Sequence, residues 1–179
     1  CLHGTLDIDF ISNIVCLNQP TMFEASYLPE NDSVIEYQWN FNDGSGILTT
    51  TYDTISHVFN SYGPHYVELT AVDTNNCSKS IYHLVVIDSL PTPNFTHSIA
   101  DCDLPVTFLD QSQSNADKIT TWYWDFGDIA SGLENNSILE NPEHLYYLND
   151  STYQVKLIVT NTNNCVDSVV KDVFVEPCI

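Results

Sequence analysis

The sequence predicts an all-β protein made of two tandem antiparallel β-sandwiches, with about seven strands in each. Two observations support this prediction: an internal repeat along the chain, and an apolar period of two residues inside each copy. Three landmarks recur in one order at offsets of 85 to 88 positions: Cys16 and Cys102, Trp39 and Trp124, Cys77 and Cys165. Each copy is long enough to form one small sandwich domain.

Alternating apolar and polar residues predict strands with one buried face. In the first copy Tyr37, Trp39 and Phe41 alternate with the polar Gln38 and Asn40, and the second copy repeats this pattern as WYWDF. The segments VELTA and VKLIV alternate in the same way. Turn-rich sequences (NDGSG, NSYGP, DTNN and NTNN) separate these segments, and no stretch has a convincing helical period. Short strands between such turns are typical of an immunoglobulin-like sandwich.

The repeat also predicts the domain boundaries. We expect a leader or linker at 1–8, sandwich domains at 9–87 and 93–175, a linker at 88–92, and a linker or tail at 176–179. The two prolines of DSLPTP suit a short, extended linker.

Composition and charge exclude several classes of protein. Asp and Glu number 24 against four lysines and no arginine, so the net charge is −20. Such a surface repels phosphate backbones, which excludes nucleic acid as a partner. No apolar run approaches the roughly 18–20 residues of a membrane helix, and no signal-peptide pattern is present. We therefore expect a mature secreted protein or a segment of a longer one.

The segments WNFNDG (39–44) and WDFGD (124–128) resemble the WDFGDG signature of PKD domains, which are Ig-like modules of secreted and cell-surface proteins. Both copies continue in family order with a His-x-aromatic element (HVF, HLY), a Val-x-Leu strand and an NNC turn. The resemblance covers about 9–87 and 93–175. The first copy departs from the signature at Asn40 and Asn42, and the second at Ile129. The resemblance assigns six residues to the core or the turn: Trp39, Phe41, Asp43, Trp124, Phe126 and Asp128.

The arrangement of one Cys before an early strand and one in the NNC turn resembles PKD repeats of Bacteroidetes surface proteins. Such proteins are commonly exported by the type IX system, and many serve gliding or adhesion. This resemblance implies an extracellular location at a bacterial cell surface.

Because both copies are expected to form the same bond, the repeat predicts the disulfides Cys16–Cys77 and Cys102–Cys165. Each would close a loop of roughly 60 residues and stabilise the fold by about 4 kcal/mol. The alternatives are buried thiols or a zinc site, although the closely spaced CxxC pairs that zinc favours are absent. Disulfides would place the chain outside the cytoplasm.

Cys1 and Cys178 lie outside the repeat. We expect them to pair with neighbouring domains or with another chain. Cys1 also fits either the lipidated end of a lipoprotein or a simple fragment boundary.

No GxSxG, HExxH, P-loop or dinucleotide-binding pattern is present, so we expect no enzyme activity and no required cofactor. Loop carboxylates suit Ca²⁺, and a chain of this charge would gain from neutralisation. The alternative is that these carboxylates are solvated or fix turns. No ligand set is assigned; the acids concerned are Asp7, Asp9, Asp43, Asp101, Asp103, Asp125 and Asp128.

Asp followed by Ser or Thr and then by an aliphatic residue or Thr occurs five times. This pattern resembles the O-glycosylation acceptor sequence of Bacteroidetes secreted proteins, and the alternative is chance in a chain rich in these residues. The candidate acceptors are Ser33, Thr54, Ser89, Ser151 and Ser168.

The function predicted from these observations is a non-catalytic extracellular structural or adhesion segment. It would be a stiff, acidic spacer within a bacterial surface protein or filament, in contact with other domains or chains. One alternative is a polysaccharide-binding accessory module of a secreted hydrolase, which needs an exposed aromatic platform. Another is a subunit of a gliding or type IX secretion-related assembly.

Overall fold

The computed structural model describes residues 7–13, 16–28, 33–100, 103–115 and 118–178. The chain forms two compact units, Cys1–Ser89 and Leu90–Ile179. The division between them falls inside the segment 88–92 that the sequence marks as a linker.

The first unit contains seven strands among its described residues. They form two antiparallel sheets, ordered β1-β2-β5 and β4-β3-β6-β7. The strands are β1 Asp7–Ser12, β2 Pro20–Leu28, β3 Val34–Asn40, β4 Ile47–Thr50, β5 Thr54–Val58, β6 Gly63–Asp73 and β7 Ser78–Ile87.

The second unit repeats this plan, with sheets ordered β12-β9-β8 and β11-β10-β13-β14. A short 3₁₀ segment, Ile129–Asn135, follows β10. The strands are β8 Phe95–His97, β9 Val106–Asp110, β10 Ile119–Asp125, β11 Asn136–Ser137, β12 Glu143–His144, β13 Ser151–Asn161 and β14 Val166–Val175. The predicted all-β fold with two antiparallel sandwiches is confirmed.

Each unit has its own apolar core between its two sheets. In the first unit Phe10 of β1 meets Trp39 of β3 edge to face at 5.2 Å, which joins the two sheets. In the second unit Phe95 of β8 meets Trp124 of β10 in the same way at 5.1 Å. Both tryptophans are fully buried, because the period of two places them on the inner face of their strand.

Candidate functional site

A buried aspartate–histidine pair recurs in both units. In the first unit His57 Nε2 lies 2.6 Å from Asp43 Oδ2, and the two side chains are 9% and 5% exposed. In the second unit His144 Nε2 lies 3.3 Å from Asp128 Oδ2, and each side chain is 2% exposed. Each aspartate follows a strand of the four-stranded sheet, and each histidine belongs to the three-stranded sheet. The pair therefore links the two sheets of its unit.

The signature phenylalanine completes this arrangement. The ring of His57 stacks on Phe41 with centroids 3.8 Å apart and an interplanar angle of 2°. The ring of His144 stacks on Phe126 at 4.3 Å and 12°. Each imidazole is thus covered by an aromatic face and held by one carboxylate, so it is a structural group rather than one that faces a cavity.

The signature turns, 41–46 and 126–128, are fixed by side-chain oxygens. Asp43 Oδ1 accepts hydrogen bonds from the backbone N–H of Ser45 at 3.0 Å and from its hydroxyl at 2.6 Å. In the second unit Asp128 Oδ2 accepts the backbone N–H of Tyr147 at 2.8 Å, and Asp125 Oδ1 accepts that of Gly127 at 3.0 Å. These contacts favour the turn-fixing role for these carboxylates. Within the described ranges, no three His, Cys, Asp or Glu side chains are grouped so that they could hold a metal ion.

One group in each buried pair, Asp43 and His144, has a lowered pKa. Burial alone would raise the pKa of Asp43, but hydrogen bonds from Ser45 and His57 outweigh it and lower the pKa to about 2. Burial lowers the pKa of His144, and its contacts with Asp128 and Glu134 oppose this only partly. The His144 ring is therefore held neutral in the folded unit at neutral pH.

Acid is expected to destabilise the second unit as the pH falls below about 6.5, the ordinary pKa of histidine. Since the pKa of His144 is lowered by folding, the unfolded chain binds a proton there before the folded unit does. The stability that the neutral ring contributes is complete above that pH and is lost below it. Urea midpoints at about pH 7.5 and about pH 5.5 measure this loss. His144→Gln should show less pH dependence, whereas His97→Gln, at an exposed histidine of the same unit, should match the wild type; equal slopes in all three would contradict the assignment.

The two signature turns use different residues at the same backbone conformation. Gly127 has φ +71°. Its counterpart in the first unit is Asn42, which replaces the glycine of the signature and has φ +52°, a left-handed conformation that Asn tolerates better than most residues. The Asn42 side-chain amide donates to the carbonyl of Tyr66, so the departure keeps the turn and adds a hydrogen bond to β6.

Replacing Gly127 by alanine is expected to destabilise the second unit by about 2–4 kcal/mol. The new Cβ would lie 2.7 Å from the carbonyl oxygen of Gln154, and the left-handed backbone would be strained as well. The free energy of unfolding in urea measures the effect. Gly127→Asn is the matched control: it brings the same Cβ, but Asn tolerates the left-handed conformation and donates to the carbonyl on the neighbouring strand at this position in the first unit. It should therefore cost less than Gly127→Ala, and the reverse order would contradict the explanation.

The expectation that the chain is disulfide-bonded is confirmed, since Cys16, Cys77, Cys165 and Cys178 each take part in a disulfide. The specific pair Cys16–Cys77 is wrong. The backbone of Cys16 forms an isolated β-bridge with that of Asp88, which directly follows β7. Cys77, in contrast, directly precedes β7. A ten-residue strand therefore separates them, which is about 33 Å, and a disulfide needs Cα atoms within roughly 7 Å.

Two predicted cysteine sites, Cys1 and Cys102, lie outside the described residues, as does the acidic residue Asp101. Cys178 does not need another chain as its partner, because it already forms a disulfide within this one.

The predicted O-glycosylation acceptors occupy varied positions. Ser33, Thr54 and Ser168 are exposed, and Ser89 and Ser151 are partly exposed. Thr54 and Ser151 begin strands, and Ser168 lies inside β14.

Sequence reasoning placed the two histidines in a structural element but did not identify their partners. The available signal was the joint recurrence of Asp43 with His57 and of Asp128 with His144 at similar separations. It also missed Tyr153, whose hydroxyl donates to the carbonyl of Leu148 at 2.8 Å and accepts its N–H at 3.0 Å.

No helix in the described part of the chain is long and apolar enough to cross a membrane.

Known proteins with similar sequences share only part of their length with this chain. Human polycystin-1 is 27% identical over 135 residues, which cover 74% of this chain and 3% of polycystin-1. Protein QNR-71 of Coturnix japonica is 48% identical over 40 residues, which cover 22% of this chain and 7% of that protein. The chain therefore spans only a small part of the length of these relatives.

Solved structures that are similar include two bacterial domains. The PKD1 domain of Vibrio anguillarum Epp has 22% identity and a TM-score of 0.43, covering 51% of this chain and 99% of that one. The PKD1 domain of the Vibrio cholerae metalloprotease PrtV has 23% identity and a TM-score of 0.41, covering 49% and 99%. The family model of the PKD domain matches residues 7–87 and again 89–175. The chain belongs to the PKD domain family.

Proposed function

We propose that the chain is a non-catalytic extracellular segment that acts as a structural spacer or adhesion module in a larger surface protein, in contact with other domains or chains. The observation that carries this proposal is the buried Asp–His pair of each unit. These aspartate and histidine side chains are the residue types best suited to acid–base catalysis, but they are enclosed between the two sheets, where they hold the fold together. Disulfide bonding fits an oxidising compartment outside the cytoplasm.

The surface charge supports the same role. A net charge of −20 keeps neighbouring copies apart and favours contacts with neutral or cationic partners. The proposal extends to a bacterial surface protein or filament, for which the resemblance to Bacteroidetes repeats is the support.

A spacer must stay folded under load, and single-molecule stretching of the oxidised chain tests this. At forces that fully extend an unstructured polypeptide of the same length, the chain is expected to remain much shorter. The control is the same chain, reduced and held in denaturant. An extension curve that matches this control would contradict the spacer role.

A second candidate function, binding of a neutral polysaccharide, is favoured by one surface of the first unit. Tyr66 of β6 and Tyr82 of β7 point outward from the four-stranded sheet and are 63% and 60% exposed. Tyr82 lies opposite Glu68 in the register and donates its hydroxyl to that carboxylate at 2.6 Å. Two tyrosine rings on one sheet face, beside hydrogen-bonding side chains, supply the aromatic platform that sugar binding needs.

Retention on insoluble cellulose and on chitin tests the second candidate. At about 0.5–1.5 kcal/mol per aromatic contact, replacing both Tyr66 and Tyr82 by alanine is expected to weaken retention about tenfold. Tyr52→Ala is the control, because Tyr52 is exposed outside the strands of this sheet. Absence of retention of the wild-type chain would contradict polysaccharide binding and leave the spacer function standing.

A further inference from the structure

We propose that a cleft in the second unit binds the side chain of an arginine on a partner protein. The inference deepens the adhesion role proposed above and rests on it. The cleft has a volume of about 560 Å³, and ligand pockets usually measure roughly 300–1,000 Å³. Three segments of the unit line it: Asp103 before β9, Ser131 and Glu134 of the 3₁₀ segment, and Leu145, Tyr146 and Tyr147 after β12.

The hydroxyl of Tyr146 lacks a hydrogen-bond partner. Tyr146 is 9% exposed, and its buried oxygen has no partner among the described residues. The fold does not need this oxygen, because Phe59 occupies the equivalent place in the first unit. Phe59 meets the ring of His57 edge-on at 4.7 Å, as Tyr146 meets that of His144 at 4.6 Å. A buried hydroxyl without a partner lowers stability, and a donor bound in the cleft would supply that partner.

The cleft carries two carboxylates, and no lysine is among the described residues that line it. Asp103 Oδ2 lies 3.8 Å from the sulfur of Cys178, which has no proton to donate because it belongs to a disulfide. Glu134 lies close to the ring of His144, which is neutral at neutral pH. A cationic ligand would neutralise both acids, and the net charge of −20 would attract it.

Arginine suits this lining better than other cations. Its guanidinium carries five N–H donors in a planar fork that pairs with carboxylates and stacks on aromatic rings. Tyr147 offers such a ring and is 71% exposed, and the half-exposed Leu145 offers apolar surface to the stem of the side chain. Burial and the Asp128 carboxylate raise the pKa of Tyr146. Its hydroxyl therefore stays neutral and can accept a guanidinium N–H.

Two walls of the cleft are fixed by the signature turn of the second unit. The hydroxyl of Ser131 donates to the backbone carbonyl of Asp128 at 2.7 Å, and the backbone N–H of Tyr147 donates to the carboxylate of the same residue at 2.8 Å. The side-chain amide of Asn135 donates to Asp125 at 2.9 Å. Because these walls are already ordered, binding loses little conformational entropy.

NMR titration of the isotope-labelled full chain with the blocked tripeptide acetyl-Gly-Arg-Gly-amide tests the proposal. Saturable shifts are expected at the amides of Ser131, Glu134, Leu145 and Tyr147. We expect an affinity in the millimolar range, because exposed ion pairs are weak. The control is the same tripeptide with citrulline, which keeps the shape of arginine without its charge and should give no saturable shift at these amides.

Glu134→Gln and Tyr146→Phe are each expected to weaken binding of the arginine tripeptide about threefold. The phenylalanine is the residue that the first unit already has at this place, so the variant should fold, and its urea midpoint checks this. Glu140→Gln removes the same charge from an exposed residue outside the lining and should bind as the wild type does.

Four results would overturn the proposal: no saturable shift in the wild-type chain, equal shifts with the citrulline tripeptide, equal affinity for a lysine tripeptide, or unchanged binding in both cleft variants. None of them would alter the result of the stretching experiment, which tests the spacer role separately.

Discussion

Replacing Trp124 by alanine is expected to lower the free energy of unfolding of the second unit by about 3–5 kcal/mol. The side chain is fully buried, packs edge to face on Phe95 at 5.1 Å, and donates its indole N–H to the carbonyl of Leu139 at 2.9 Å. Alanine would leave a cavity between the two sheets and an unsatisfied carbonyl. Small domains have total stabilities of only about 5–15 kcal/mol, so this unit would come close to unfolding.

Urea unfolding followed by circular dichroism measures the effect without relying on the fluorescence of the deleted residue. The first unit should unfold as in the wild type, since Trp124 belongs to the core of the second unit alone. Tyr123→Ala is the matched control on the outer face of the same strand and should cost less than about 1 kcal/mol. Similar losses in both variants would mean that Trp124 is not the centre of the core.

Replacing Asp128 by alanine is expected to destabilise the second unit by about 3 kcal/mol. Its carboxylate accepts the N–H of Tyr147 and lies 3.3 Å from His144 Nε2, with both side chains of the pair 2% exposed. Without it, the buried His144 ring and the partly buried Tyr147 N–H both lose their hydrogen-bond partner. The loss includes the link between the two sheets.

The free energy of unfolding of Asp128→Ala should be compared with that of Asp128→Asn. The asparagine keeps one oxygen that can accept the Tyr147 N–H, so this variant should lose less stability. A double-mutant cycle with His144→Gln measures the coupling between the two side chains. Additive losses in the cycle would show that the pair does not act as one unit.

Local patterns were sufficient to predict the strands of both sandwiches. The alternation around Trp39 and Trp124 is a property of neighbouring residues, and the period of two fixes which side chains face inward. The internal repeat then gave two units rather than one large domain, because equivalent landmarks recur at a constant offset.

The cysteine pairing could not be predicted from the repeat. Equivalence between units says that Cys16 corresponds to Cys102 and Cys77 to Cys165, but not which end of β7 each cysteine approaches. That depends on long-range contacts, such as the hydrogen bond from the N–H of Leu17 to the carbonyl of Asp88. A loop that closes over some 60 residues leaves no local trace in the sequence.

The pairing of Tyr66 with Tyr82 on one sheet face could not be predicted either, because it too depends on contacts between residues far apart in the sequence. Tyr66 and Tyr82 occupy outward positions on β6 and β7, and only the antiparallel register brings them to neighbouring places on one face. In the second unit the corresponding register positions hold Gln154 and Val170, so the repeat gave no hint of the platform.

Intact mass of the protein from its native source, with and without reduction, decides whether the chain is a segment of a larger surface protein. We expect this chain to be part of a disulfide-bonded polypeptide much larger than its own 20.2 kDa. Sugar-sized increments on that polypeptide would also support the candidate acceptors. A free-standing chain of 20.2 kDa, with thiols that gain no mass on reduction, would contradict a spacer segment within a larger surface protein.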